Sequence, residues 1–277
     1  MATQYAYLNG RILPLEDAAI SPLDIGLLRG YAVFDLLRTA GGRPFLLPEH
    51  LRRLRSSAEK LGLSVPATDE EISAVIDKLL ARNGHAEATV RLVLTGGVSP
   101  DGMAFDARTP TFLIVTHELH EPPDEVYERG GALLAEHHVR ELPEAKTTNY
   151  LTMLQARSRC AQAGALDLLY HDGERVFEAA SASVYFVRGG RIFAPRGDVL
   201  WGTVGSLVLE LAGDDYDIVF GDISLGDALS ADEAFLTSTT RGVVPIVRVD
   251  DAPVGTGEPG PITRNLMARW REALARA

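Results

Sequence analysis

The 277-residue sequence holds one cysteine, Cys160. A lone cysteine excludes an internal disulfide framework and fits a reducing compartment, so a cytoplasmic location is expected. No stretch approaches the roughly 18 consecutive apolar residues of a membrane span. The opening MATQYAYLNGR lacks the basic and apolar regions of a signal peptide. Positive charge is also short: 27 basic residues face 38 acidic ones, for a net charge of −11. That balance argues against nucleic acid as a partner. Familiar motifs are missing too. Gly30 and Gly96-Gly97 build no GxGxxG element, there is no P-loop, and no Gly-x-Ser-x-Gly elbow supports a serine hydrolase. His117 and His120 stand in HELH, one residue short of the HExxH zinc spacing. His137 and His138 are adjacent, so on a strand they face opposite ways. No metal site is expected.

Lysine is scarcer still. Only Lys60, Lys78 and Lys146 occur, and the other 24 basic residues are arginine. Arginine stays protonated at any working pH, whereas a lysine amine can lose its proton and attack a carbonyl. Lys60 and Lys78 sit among the polar residues of amphipathic helices. Lys146 stands before Thr147-Thr148-Asn149-Tyr150, a run that opens a helix, and is the candidate for chemistry.

What is present reads as a soluble globular chain, 46% hydrophobic and 23% charged. Tyr5–Leu8 and Arg11–Leu13 around Asn9-Gly10 predict a hairpin. Residues 31–39 predict a strand and 43–47 its partner. Pro48 opens a helix with Leu51, Leu54, Ala58 and Leu61 on one face. Thr68 to Glu71 is a capping box for a second helix, closed by Gly84. Residues 88–95 and 110–116 predict strands. The polar, proline-bearing stretch 118–124 reads as a linker. The expected domains are therefore 1–117 and 125–277, both α+β, the second carrying Lys146. Beyond the linker come a strand near 131–139, a helix from about Asn149 to Gly164, and a meander over 167–194. A helix over 200–212, a strand, a short helix, a strand pair around Ser238-Thr239-Thr240 and a helix over 262–275 complete the chain.

Several features suit an anionic, aldehyde-bearing ligand. Arg53 lies on an amphipathic helix and could reach a phosphate. Gly202-Thr203-Val204 opens a helix, where backbone amides and the dipole favour an anion. Ser238-Thr239-Thr240 offers hydroxyls and amides in a tight connection. Glu178 lies on a strand and could face a heterocyclic nitrogen. Each alone has a plainer reading: a solvated charge, a turn, an exposed strand residue. Their coincidence with Lys146 is the signal.

That set, in that order, resembles the fold-type IV pyridoxal phosphate enzymes. The segments that carry the resemblance are RGYAVFDLLRTAGGRPFLLPEHLRRL, KTTNYL, HDGERVFEAASASVYFV, LWGTVGSLVLELA and ADEAFLTSTTRGVVPI. The resemblance implies a two-domain α+β fold and pyridoxal 5'-phosphate carried by Lys146 as a Schiff base. It places Glu178 at the pyridine nitrogen and Tyr150 near the cofactor. It places Arg53, Thr203, Val204, Thr239 and Thr240 at the phosphate. It also implies a homodimer acting on small-molecule substrates, amino acids and 2-oxo acids. The chain departs from the family pattern in three places. Gly202-Thr203-Val204 replaces Gly-Ile-Thr, Ser183 replaces the common Asn, and Gly30-Tyr31 replaces Gly-Asp, with Asp35 as the acid. The spacing of Lys146 and Asn149 matches the D-amino acid and lyase branches. The Arg-x-His carboxylate trap of many D-amino acid enzymes is missing from LTGGVSPDGM, residues 94–103. Arg29 and Arg91 are the candidate replacements, with Tyr31 beside them. The expectation is transamination of D-amino acids with 2-oxoglutarate or pyruvate as acceptor. An L-branched-chain aminotransferase, an aminodeoxychorismate lyase and a non-catalytic cofactor-binding protein are the alternatives.

Overall fold

A computed structural model describes residues 3–213 and 215–277, so the first two residues of the N-terminal stretch lie outside the described residues. The chain divides into two compact units. The first comprises Met1–His120, Ala145–Asn149 and Ala277, and the second Glu121–Glu144 and Tyr150–Arg276. The five residues that carry Lys146 therefore cluster with the first unit, although the chain on both sides of them belongs to the second.

The first unit opens with β1 (Tyr5–Leu8) and β2 (Arg11–Pro14). Asn9 and Gly10 take φ of 46° and 89° between them, the left-handed pair that suits a two-residue hairpin turn. The loop expected next contains a helix, α1 (Ile25–Arg29), whose start is capped by the Asp24 carboxylate accepting from the Gly26 N–H at 2.7 Å. Five residues are too few to show a helical repeat, so the sequence pattern missed it. Then come β3 (Ala32–Ala40), β4 (Arg43–Pro44), α2 (Leu47–Lys60), α3 (Asp69–Asn83), β5 (Ala88–Thr95) and β6 (Thr111–Glu118). β4 is shorter than the expected 43–47 because Pro48 already sits in the first turn of α2. α3 has the capping box of Thr68 and Glu71 and ends on left-handed Gly84, as its sequence predicts. Among the described residues the sheet has six antiparallel strands in the order β2-β1-β6-β5-β3-β4. Leu51, Leu54, Ile72, Ile76 and Leu79 of the helices pack on Val33, Leu37, Val90, Leu92 and Ile114 of the sheet.

The second unit contains α4 (Asp124–Arg129), β7 (Gly131–His137), α5 (Leu151–Ala163), β8 (Ala165–His171), β9 (Arg175–Ala179), β10 (Ser183–Arg188) and β11 (Arg191–Pro195). They are followed by α6 (Thr203–Ala212), β12 (Ile218–Gly221), β13 (Ile223–Ser224), α7 (Leu225–Leu229), β14 (Glu233–Ser238), β15 (Gly242–Val249), β16 (Ala252–Pro253) and α8 (Pro261–Ala275). Among the described residues these strands form one ten-stranded sheet in the order β12-β11-β10-β14-β15-β7-β8-β9-β13, with β16 beside β15. β7 pairs in parallel with β8 and β15, and β11 with β12. α5 supplies the crossover that a parallel β7–β8 pair requires. Leu133, Leu169, Val184, Phe186, Leu236 and Ile246 form the core of this sheet. No helix among the described residues is long and apolar enough to cross a membrane.

Candidate active site

In the first unit the Lys146 segment joins the sheet by its backbone. The Phe34 N–H donates to Lys146 O at 2.9 Å, the Thr148 N–H donates to Ala32 O at 3.1 Å, and Thr147 bridges Val33. The Lys146 N–H donates in turn to Oγ of buried Ser57 on α2, at 3.0 Å. The main chain of the lysine is thus held on both sides, and its side chain is half-buried. Nζ lies 4.8 Å from the centroid of the Phe34 ring, and the guanidinium carbon of Arg91 lies 5.2 Å from the same centroid. Arg91 is exposed on β5. Arg29, also exposed, ends α1 and donates through Nη1 to Leu28 O at 3.0 Å. A Cβ added to Gly102 would lie 3.6 Å from its Nη2, which places Arg29 at the 94–103 loop. The Tyr31 hydroxyl donates to Leu61 O at 2.6 Å, and its ring packs 5.0 Å from Phe105.

Strand alternation turns Asp35 to the helix side of β3, with Val33 and Leu37. There it meets α2. Arg53 donates to it from Nε and Nη2, each at 2.8 Å, and His50 Nδ1 lies 2.7 Å from Oδ1. Asp35 is fully buried. Burial by itself would raise its pKa, but the Arg53 charge and the hydrogen bonds from Arg53 and His50 outweigh it and hold the carboxyl well below the usual range. Burial wins the other way for His50, pushing its pKa below the ordinary 6.5 despite Asp35. His50 is then neutral at pH 7. An ionised Asp35 only accepts, so His50 donates to it from Nδ1. Arg53, expected at a phosphate, thus spends two nitrogens on Asp35; Nη1 is not used by these bonds.

In the second unit, Glu178 lies buried on β9. Its Oε1 accepts from Arg140 Nη1 at 2.7 Å and its Oε2 from the Leu200 N–H at 3.3 Å. Arg140 also donates to Pro143 O at 2.9 Å. Tyr150 is the half-buried N-cap of α5. Thr203 and Val204 are buried in the first turn of α6, whose N-cap, Gly202, offers no side-chain acceptor. The backbone here runs close to side chains of β10. A Cβ on Gly202 would lie 2.6 Å from Ser183 Oγ, and one on Gly205 would collide with the Tyr185 hydroxyl. Thr239 and Thr240 are half-buried in the turn between β14 and β15.

Each unit therefore holds part of the expected set: Lys146, Arg91 and Arg53 in the first, and Glu178, the α6 start and the hydroxyl turn in the second. Sequence reasoning missed three supports. His50 completes the Asp35–Arg53 group, Arg140 holds Glu178, and Arg241 pairs with buried Asp167 at 3.0 Å. For the last a signal existed, since Asp167 is a lone acid inside the apolar run ALDLLY. The first unit supplies an amine on a fixed backbone, and the second, by itself, a buried carboxylate and two connections suited to an anion.

Known proteins point the same way. The family model for amino-transferase class IV matches residues 32–249. A D-alanine aminotransferase of Listeria innocua is 30% identical, the match covering 98% of this chain and 96% of that protein. A D-alanine aminotransferase of Staphylococcus epidermidis is 28% identical, with 97% of each chain covered. Among solved structures, the T.th. branched-chain amino acid aminotransferase with pyridoxamine 5'-phosphate superposes with a TM-score of 0.89 at 26% identity, covering 100% of this chain and 95% of that one. The chain belongs to the class IV aminotransferases, the fold-type IV transaminases that use pyridoxal 5'-phosphate.

Proposed function

We propose that the protein transaminates D-amino acids, with 2-oxoglutarate or pyruvate as acceptor. The observation that carries this reading is the shared ring of Phe34, over which both Lys146 and Arg91 lie, at 4.8 and 5.2 Å from its centroid. An arginine against the same ring as the lysine is the candidate partner for the α-carboxylate of a substrate whose α-carbon is at the lysine amine. The D-alanine aminotransferases at 28–30% identity support the choice of D-substrates.

The residues present fit the cofactor. Uncapped α6 and the hydroxyl turn suit a phosphate, a buried carboxylate suits a pyridinium, and the amine suits an aldehyde. Bound pyridoxal 5'-phosphate supplies the electron sink for charge that develops at the substrate α-carbon. Lys146 would hold the cofactor by its amine and, once released, move the proton at the α-carbon. Glu178 would hold a proton at the ring nitrogen, with Arg140 fixing its other oxygen through a charge-assisted bond. Arg53, Thr203, Val204, Thr239 and Thr240 would hold the phosphate, and Tyr150 would lie by the cofactor. Arg29 and Arg91 would hold the substrate carboxylate. Tyr31 would stand beside them; its hydroxyl donates to Leu61 O and keeps its capacity to accept.

The reading includes a cytoplasmic homodimer. Leu23, Leu27, Val98 and Met103 are 52–69% exposed, on segments joined by the Ser99 N–H to Leu23 O and Ile25 N–H to Gly97 O bonds. A second copy would cover them. An L-branched-chain preference is the second reading, favoured by the branched-chain enzyme among the fold neighbours.

The test is a half-reaction panel. The absorbance of the bound cofactor is followed while single amino acids are offered. D-alanine or D-glutamate should react faster than any L-amino acid; faster reaction with L-leucine moves the assignment to the branched-chain branch. A charge-assisted contact is worth about 1.5–3 kcal/mol, so Arg91→Ala and Arg29→Ala should each raise half-saturation roughly 10- to 150-fold with the resting spectrum unchanged.

A further inference from the structure

The turn between β14 and β15 is short. Ser238 pairs with Gly242, and Thr239, Thr240 and Arg241 lie between them. Gly242 is left-handed, with φ +62°, and a Cβ there would collide with the Trp270 indole. Arg241 ties this turn to the chain around it. Its Nε donates to Ser238 Oγ at 3.0 Å, so the side chain clasps its own turn. Its Nη2 donates to Asp167 Oδ2 at 3.0 Å and to Ser181 Oγ at 2.8 Å, with a longer contact to Ser181 O at 3.4 Å. Its main-chain carbonyl accepts from the Tyr127 hydroxyl at 2.9 Å.

The partners explain why an arginine stands here. Asp167 is fully buried on β8, and its other oxygen accepts from the Leu168 N–H at 2.9 Å. A buried carboxylate needs a paired cation. Ser181 lies in the connection that leaves β9 just after Glu178. One guanidinium therefore joins three stretches: the hydroxyl turn, β8 and the connection beyond Glu178. A rigid ligand held at one end by the turn and at the other by Glu178 needs those two stretches at a set spacing, and only a planar fork bonds all three at once.

We propose that Arg241 is a positioning residue that sets the Thr239–Thr240 turn relative to Glu178, and so tunes affinity for the phosphate end of the cofactor. The inference rests on the reading that this turn holds the phosphate. It assigns Arg241, Asp167 and Ser181 a role that composition and motif do not reveal.

The experiment compares two ligands on the full-length apoenzyme: pyridoxal 5'-phosphate and pyridoxal, which lacks the phosphate. Affinities are read by fluorescence titration, with the phosphorus NMR shift of bound cofactor as a second signal. Arg241→Lys keeps the charge that Asp167 needs but loses the fork. It should weaken pyridoxal 5'-phosphate binding roughly tenfold or more, leave pyridoxal binding unchanged and move the phosphorus shift. Equal weakening of both ligands, or of neither, overturns the positioning role. Thr239→Val and Thr240→Val report separately on the turn. If neither discriminates between the ligands, the phosphate reading itself has failed; if they discriminate and Arg241→Lys does not, only the Arg241 inference has failed. Should Arg241→Lys not fold, Ser181→Ala removes one arm of the fork with the ion pair intact, and must show the same selective loss in smaller measure.

Discussion

The two units handle buried charge differently. In the first, Asp35 comes from a strand, and His50 and Arg53 come from the helix packed on it. Every member is on a regular element, and the group lies in the helix–sheet interface. In the second, two buried strand acids take arginines from irregular chain, Arg140 for Glu178 and Arg241 for Asp167, and a third, Glu233 on β14, accepts instead from the Ile262 and Thr263 N–H groups that open α8. The lesson is one of consequence. Charges shared between regular elements belong to the stability of the fold, so losing one should unfold protein. Charges delivered by loops orient a strand acid or a turn, so losing one should harm binding or chemistry first. Lys146 is the exception that tests the rule: it clusters with the first unit, yet it sits on irregular chain and is held by its backbone.

The largest effect is expected at that exception. Lys146→Ala should lower transamination roughly 10²- to 10⁴-fold or more while leaving the melting temperature nearly unchanged, because the backbone bonds at 146–148 persist. Borohydride reduction of the holoenzyme should label the peptide containing Lys146; a label on Lys60 or Lys78 would break the assignment. Asp35→Asn comes next. Removing one partner of a buried ion pair costs about 3–5 kcal/mol, which urea unfolding should show as a lower midpoint. A stable Asp35→Asn variant that fails only in cofactor binding would erase the contrast between the units. Glu178→Gln should do the opposite, slowing the half-reaction roughly 10²-fold with a small change in urea midpoint. An undiminished rate would make Glu178 a structural residue.

The smallest effect is a slope. His50 is kept neutral by burial, with its folded pKa below the ordinary 6.5. The unfolded chain takes up this proton near pH 6.5, and the folded chain only at lower pH. The contribution is therefore complete above about pH 6.5 and is lost as pH falls through the folded value. Melting temperature should decline below that pH in the wild type, and His50→Gln should flatten the decline. An identical slope in the variant would show that His50 is not the group responsible.

Much of the fold was legible locally. The Asn9-Gly10 hairpin, the Thr68–Glu71 capping box and the glycine stops at Gly84 and Gly164 are short-range chemistry, and all four are observed. α1 and α4, five and six residues long, were not read from the sequence, whereas the equally short α7 was expected between its flanking strands. Among the candidate residues, Lys146 stood out by the scarcity of its type. Arg140 and Arg241 did not, in a chain where 24 arginines make any one of them unremarkable by composition.

By itself the sequence determined which residue types were on hand: one lysine at a helix start, a glycine-opened helix, a hydroxyl turn and the family these belong to. Those are properties of neighbouring residues, set by propensity, capping and turn chemistry. Only the tertiary structure decided which charges meet. Asp35 finds Arg53 18 residues on, Glu178 finds Arg140 38 residues back, and Arg241 finds Asp167 74 residues away. Such pairings depend on strand register and on which face each element turns inward. A single step of register would send Asp35 to the other side of its sheet and leave Arg53 without it.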